Sequence, residues 1–103
     1  NFKMKGSCNY ALIIIFEKKF RNFYFRSRFE KILKNNNIEF RRGLAGGGNQ
    51  VRQPYLGLFR KKYKISGKLS NTDIIHDFGY YIGNYPSLEK NKILNICRIL
   101  NNI

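Results

Sequence analysis

Residues that carry chemistry are scarce in this chain. Its 103 residues include one histidine and six acids, against twenty lysines and arginines. A free-standing active site draws on an acid, a base, a nucleophile or a metal. Here no pair of carboxylates flanks a cleft, no cysteine and histidine stand in a catalytic arrangement, and no cluster has metal-ligand spacing. The residues therefore supply no catalytic set and no metal site. The two cysteines, Cys8 and Cys97, form no disulfide framework, and reduced thiols in a cytoplasmic protein are the expected state. No apolar run approaches the roughly 20 residues of a membrane span; the longest, residues 11–16, has the length of a strand. The opening Asn1-Phe2-Lys3-Met4 shows neither an initiator methionine nor the shape of a signal peptide, so the chain is expected to begin in the middle of a gene product. There is no internal repeat and no low-complexity linker.

What is present is apolar and basic. Hydrophobic content of 43 %, with nine phenylalanines and seven tyrosines, is too high for a disordered chain. One small domain that buries roughly two thirds of its unfolded surface is the expected outcome. The formal charge of +14 raises nucleic acid as a partner, but its distribution weakens that reading. Residues 1–42 carry eleven Lys/Arg against three acids and residues 43–103 carry nine against three, so neither half is the basic half. Heavy use of Lys, Asn and Ile also has the look of genomic composition bias. A small basic nucleic-acid-binding module is the disfavoured alternative, and no membrane partner is expected.

Hydrophobic periodicity gives the element order. Residues 10–16, rich in isoleucine with little alternation, predict a strand covered on both faces or a central strand of a small sheet. After a charged turn, Ser27-Arg28-Phe29-Glu30 has capping-box spacing, and Phe25, Phe29, Ile32 and Leu33 form one helical stripe. Asn35, Asn36 and Asn37 stop that helix. Ile38-Glu39-Phe40-Arg41 alternates like a half-buried strand. Residues 55–59 read as an apolar turn or single helical turn, and the basic run at 60–64 as a solvated face. Ser70 or Asn71 caps a short helix through Phe78, with Asp73 in its first turn and Gly79 at its end. Residues 80–83 form a short strand. Ser87 caps a last helix that turns Ile93, Ile96, Cys97 and Leu100 to one side. The sum predicts an α+β fold, a small mixed or antiparallel sheet with helices packed on one face.

One stretch is unlike scaffold. Residues 41–55 hold four glycines, two amides besides Gln53, and the arginines Arg41, Arg42 and Arg52. Glycine permits close approach to backbone, and arginine presents a planar fork of donors suited to phosphate or carboxylate. The stretch is not a P-loop and lacks the context of a dinucleotide fingerprint. A flexible connector is the bland alternative. The concentrated donors Asn49, Gln50, Arg52 and Gln53, closed by Pro54, favour an anion-binding loop. His76, between Ile75 and Asp77 on a predicted helix, reads first as a structural histidine.

Arg41-Arg42, Ala45-Gly46 through Asn49, Arg52-Gln53-Pro54-Tyr55, Asn71 to His76, and Phe78-Gly79-Tyr80-Tyr81-Ile82-Gly83-Asn84-Tyr85-Pro86 together resemble the C-terminal end of the DegT/DnrJ/EryC1/StrS family. These are pyridoxal-phosphate-dependent fold type I enzymes acting on nucleotide-linked 4-keto sugars. The wording is closest to the branch of 3-dehydratases of 4-keto-6-deoxyhexoses, from which the triple glycine departs. The resemblance implies that the chain is the small C-terminal domain of such an aminotransferase or dehydratase. The family's large N-terminal domain, which binds the pyridoxal 5'-phosphate, is then a missing partner. It further implies a cytoplasmic homodimer at full length, serving polysaccharide or lipopolysaccharide synthesis with a nucleotide-sugar substrate, and an isolated chain without catalysis. By position, Arg41, Asn49, Arg52 and Gln53 would hold the sugar nucleotide, with His76, Asn84 and Tyr85 near the cleft.

Overall fold

The aromatic segment at residues 79–83 is the strand around which the other elements pack. A computed structural model of the protein describes residues 10–43 and 47–103. Cys8, the opening residues 1–4 and the loop residues Leu44, Ala45 and Gly46 lie outside the described residues. In chain order the elements are β1 (Ala11–Ile15), α1 (Phe23–Asn35), β2 (Arg41–Arg42), α2 (Pro54–Gly57), α3 (Ser70–Phe78), β3 (Gly79–Gly83) and α4 (Lys90–Asn101). Single 3-10 turns lie at Lys18–Phe20, Gln50–Arg52 and Arg60–Lys62. The sheet order is β1-β3-β2, antiparallel throughout. This is the expected α+β arrangement, with the antiparallel of the two sheet types.

Register assigns the two faces. Leu12 pairs with Ile82, and both Ile14 and Arg42 pair with Tyr80, while Ile13 and Arg41 both pair with Tyr81. Opposed residues share a face and successive ones alternate. The Tyr80 face meets α1. Tyr80 and Leu33 are fully buried, with Phe16, Phe29 and Ile82 around them, and Ile96 and Leu100 of α4 pack against the cluster. Phe16 lies 4.9 Å from Phe29 and 5.3 Å from Tyr80 between ring centroids, one pair edge-on and the other stacked, as ring quadrupoles favour. The Tyr80 hydroxyl donates to Glu30 Oε1 at 2.7 Å. Burial first, and then this bond, push its pKa far above the ordinary phenol value.

Several local expectations change. Residues 10–16 do not supply a central or doubly covered strand: β1 pairs with β3 alone, and Leu12, Ile13 and Ile15 stay exposed. Pairing partners, not hydrophobicity, decide which strand is central, and β3 takes the place because it bonds on both sides. The first helix starts earlier than the Ser27 capping box. Asn22 is the N-cap, its Oδ1 accepting from the Phe25 N–H at 2.8 Å, and Ser27 sits mid-helix. The end of α1 is as expected, with Asn37 at φ 54°. Ile38 and Phe40 turn toward the core, but only Arg41 and Arg42 join the ladder.

Leu69, without a side-chain cap bond, precedes α3 in place of Ser70 or Asn71. Gly79 follows α3 at φ −101°, so it is no left-handed cap; a Cβ there would lie 2.6 Å from the Ile75 carbonyl oxygen. Glu89, not Ser87, precedes α4. That helix meets the core through Ile96 and Leu100, while Ile93 and Cys97 stay exposed. Among the described residues no helix is long and apolar enough to cross a membrane.

Candidate functional site

Two regions hold the residues singled out by sequence, and they are built differently. In the first, the end of the glycine stretch lies against α3. Asn49 is buried, at 4 % exposure, and uses three groups. Its backbone N–H donates to His76 Nδ1 at 3.0 Å, its Nδ2 donates to Asp73 Oδ1 at 2.8 Å, and its Oδ1 accepts from the Val51 N–H at 3.0 Å. Since His76 Nδ1 accepts, it is the unprotonated ring nitrogen. Gly48 sits at φ +81°, and a Cβ there would lie 2.5 Å from that same nitrogen. Glycine is thus required twice over, by conformation and by contact.

Arg52 completes the attachment. Its Nη1 and Nη2 donate to Asp77 Oδ2 and Oδ1 at 2.7 and 3.1 Å, a bidentate fork, and Nη1 lies 3.5 Å from Asp73 Oδ1. The bond to Asp77 raises the Arg52 pKa, and the bond from Arg52 holds the Asp77 carboxyl below its ordinary range. Gln53 Nε2 donates to the Gly47 carbonyl at 2.7 Å, and the Tyr55 hydroxyl bonds Gln50 Oε1. The side chains of Asn49, Arg52 and Gln53, which looked available for an anion, donate to this chain's own acceptors.

The second region is an open cleft of about 730 Å³. It exists because β2 is so short. The ladder between β2 and β3 stops at Arg41 opposite Tyr81, so residues 36–40 diverge from the far end of β3, and the gap is bounded on its other side by residues 85–88 and α4. Ile38, Ile82, Leu88 and Ile96 give it apolar walls, and Arg41, Lys92, Tyr10, Tyr81 and Tyr85 also line it. Tyr10 meets Tyr81 edge-on with centroids 6.0 Å apart. Lys92 pairs with Glu89 at 3.6 Å. Arg41 is exposed and, unlike Arg26, Arg42 and Arg52, makes no ion pair among the described residues.

The seven sequence candidates therefore divide. Asn49, Arg52, Gln53 and His76 come together where the loop meets α3; Arg41 and Tyr85 come together on the cleft, with Asn84 beside Tyr85 and its N–H donating to the Tyr10 carbonyl at 2.7 Å. Asp73 and Asp77 were missed as loop anchors, although Asp73, His76 and Asp77 have the i, i+3, i+4 spacing that puts three side chains on one helix face. Tyr10, Tyr81 and Lys92 were missed as cleft residues. The alternation in Tyr80-Tyr81 could have found one of them, since a buried Tyr80 sends Tyr81 to the opposite face. Among the described residues no group of three His, Cys, Asp or Glu could hold a metal ion.

The geometry defines a small α+β unit with an open, cation-bearing cleft. No protein-family model matches the chain, and no solved structure matches it. A sequence relative does: the chain is 44 % identical over 45 residues to the lipopolysaccharide biosynthesis protein RfbH of Salmonella typhimurium. The match takes in 44 % of this chain and about a tenth of that protein's length (10 %).

Proposed function

We propose that this chain is the small C-terminal domain of a pyridoxal-phosphate-dependent enzyme of the DegT/DnrJ/EryC1/StrS family, either an aminotransferase or a 3-dehydratase of a 4-keto-6-deoxy sugar nucleotide. Its part is to supply walls of the substrate cleft. The observation that carries the reading is the 44 % identity over 45 residues to a lipopolysaccharide biosynthesis protein, added to the resemblance of the Arg-Gly-Asn-Arg-Pro and Tyr-Ile-Gly-Asn-Tyr-Pro segments. In this reading Arg41 and Tyr85 face the substrate, with Asn84 beside them. Asn49, Arg52, Gln53 and His76 serve by holding the loop in place against α3.

Among the described residues, the cleft offers no lysine suited to covalent attachment of pyridoxal phosphate. Lys92 is the lysine on the cleft wall, and it is exposed and paired with Glu89, whereas a Schiff-base lysine needs apolar surroundings that lower its pKa. The family resemblance puts the cofactor lysine, or the histidine that replaces it in the dehydratases, in the large domain.

The test has two parts. Pyridoxal phosphate added to this chain should give no Schiff-base absorbance; a stable band discharged by an amine donor would overturn the assignment. In a full-length enzyme ending in this chain, Arg41→Ala should raise KM for the nucleotide sugar and leave cofactor absorbance unchanged. Loss of cofactor would show that the cleft had been given the wrong ligand.

A further inference from the structure

We propose that the segment of residues 54–65, between the glycine stretch and α3, rests on the surface of a bilayer containing anionic phospholipid. Its apolar side chains enter the lipid and its lysines meet the headgroups. Leu58, at 82 % exposure, is the most exposed large hydrophobic side chain among the described residues, and Tyr55, Phe59 and Ile65 are exposed as well. Residues 54–57 are the helix α2 and residues 60–62 a 3-10 turn. Tyr55 therefore has Leu58 and Phe59 three and four residues on, the spacing that gathers side chains on one side of a helical turn. The N–H groups of Leu56, Phe59 and Lys62 donate to carbonyls three residues back. Backbone groups bonded within the segment cost less to bring against lipid than free ones.

Charge selects the lipid. Between Glu39 and Asp73 the chain has no acid. Lys61, Lys62 and Lys64 are exposed, and none makes an ion pair among the described residues. The Lys62 ammonium lies 5.6 Å from the centre of the Phe59 ring, so a cation and an apolar ring sit side by side, as they do where headgroups meet hydrocarbon. A nucleic-acid strand takes rings and cations but has no partner for Leu58 and Ile65. A bilayer surface takes both, and anionic headgroups are the complement of the lysines. The absence of a spanning helix among the described residues is compatible with this contact, which needs no span.

Sedimentation of this chain with phospholipid vesicles tests the inference. Vesicles of mixed phosphatidylglycerol and phosphatidylcholine should carry the chain down, and vesicles of phosphatidylcholine alone should not. Leu58→Ser should weaken binding about tenfold. Lys61→Ala with Lys64→Ala should weaken it about twentyfold, at roughly fivefold for each lysine. Arg28→Ala with Lys31→Ala removes the same charge from exposed positions on α1 and should change binding by less than about twofold, since charge away from the bilayer is screened; circular dichroism verifies that each variant is folded. The chain has no tryptophan, so Leu58→Trp supplies a single reporter whose emission should move to shorter wavelength on the mixed vesicles. No binding to the mixed vesicles, an unmoved Leu58→Trp emission, or equal losses from the two double variants would each overturn the inference. Preference for an oligo(dT) strand in competition with the vesicles would also overturn it and make the segment a nucleic-acid surface. None of these results bears on the cofactor test above, so the two readings fail separately.

Discussion

Arg41 and Arg52 bracket the same glycine-rich stretch, yet the fold gives them opposite surroundings. Arg52 reaches α3, where Asp73 and Asp77 present carboxylates on one helix face, and it makes a fork whose closer arm is 2.7 Å. Arg41 leaves the stretch at a sheet edge, where the ladder ends and a cleft opens beside it. A guanidinium already satisfied by a carboxylate gives little to a ligand, because the ligand must first displace that partner. An unpaired one needs only to shed water. Glycine and arginine in sequence do not distinguish these cases; the position of nearby acids does.

That contrast predicts separable effects. Gly48→Val should be the most damaging change, since it combines an unfavourable φ of +81° with a Cβ 2.5 Å from His76 Nδ1. A loss of about 3 kcal/mol in urea unfolding is expected from strain and overpacking, and a loss below about 1 kcal/mol would mean that the loop is not seated on α3. Asn49→Ala removes a buried amide that bonds Asp73 and the Val51 N–H. Its cost should be about 2 kcal/mol, read as a lower urea midpoint.

The Arg52–Asp77 pair should appear in the pH dependence. Because the folded-state pKa of Asp77 is lowered, the unfolded chain holds its proton more tightly. The pair's stabilisation is therefore complete above the ordinary aspartate value of about 3.9 and fades as the pH falls through the lowered value. Asp77→Asn should flatten that part of the stability profile, and an unchanged acid limb would remove the pair from the account. Cleft variants should affect stability least. Arg41→Ala and Tyr85→Ala alter exposed side chains, and midpoints within about 0.5 kcal/mol of the parent are expected; a larger loss would make the cleft a structural feature.

The legible parts of the fold were those set by local pattern. The stripe of Phe25, Phe29, Ile32 and Leu33 placed α1 against the sheet, and the asparagines that end it behave as their short amides require. Strand rank was not legible, because the isoleucines of β1 suit an edge or a centre equally well and only pairing separates them. The start of α1 was misplaced because Ser27 and Glu30 carry cap spacing inside a helix that Asn22 had already begun. At the candidate site, residue types pointed to Asn49, Gln50, Arg52 and Gln53 and the family resemblance added Arg41 and His76, but which of these is tied down depends on Asp73 and Asp77, distant in sequence and brought close by α3. The cleft itself arises from a ladder that stops early, a property of two strands together that no single segment carries.

Backbone amide shifts during titration with a nucleotide sugar, followed by heteronuclear NMR, test the division between loop and cleft most directly. The account predicts that the largest changes fall on Arg41, Tyr81, Tyr85, Lys92 and Asn95, with Gly48, Asn49, Arg52 and His76 nearly unmoved. Changes concentrated at Gly48–Gln53 and His76, with the cleft residues silent, would contradict it.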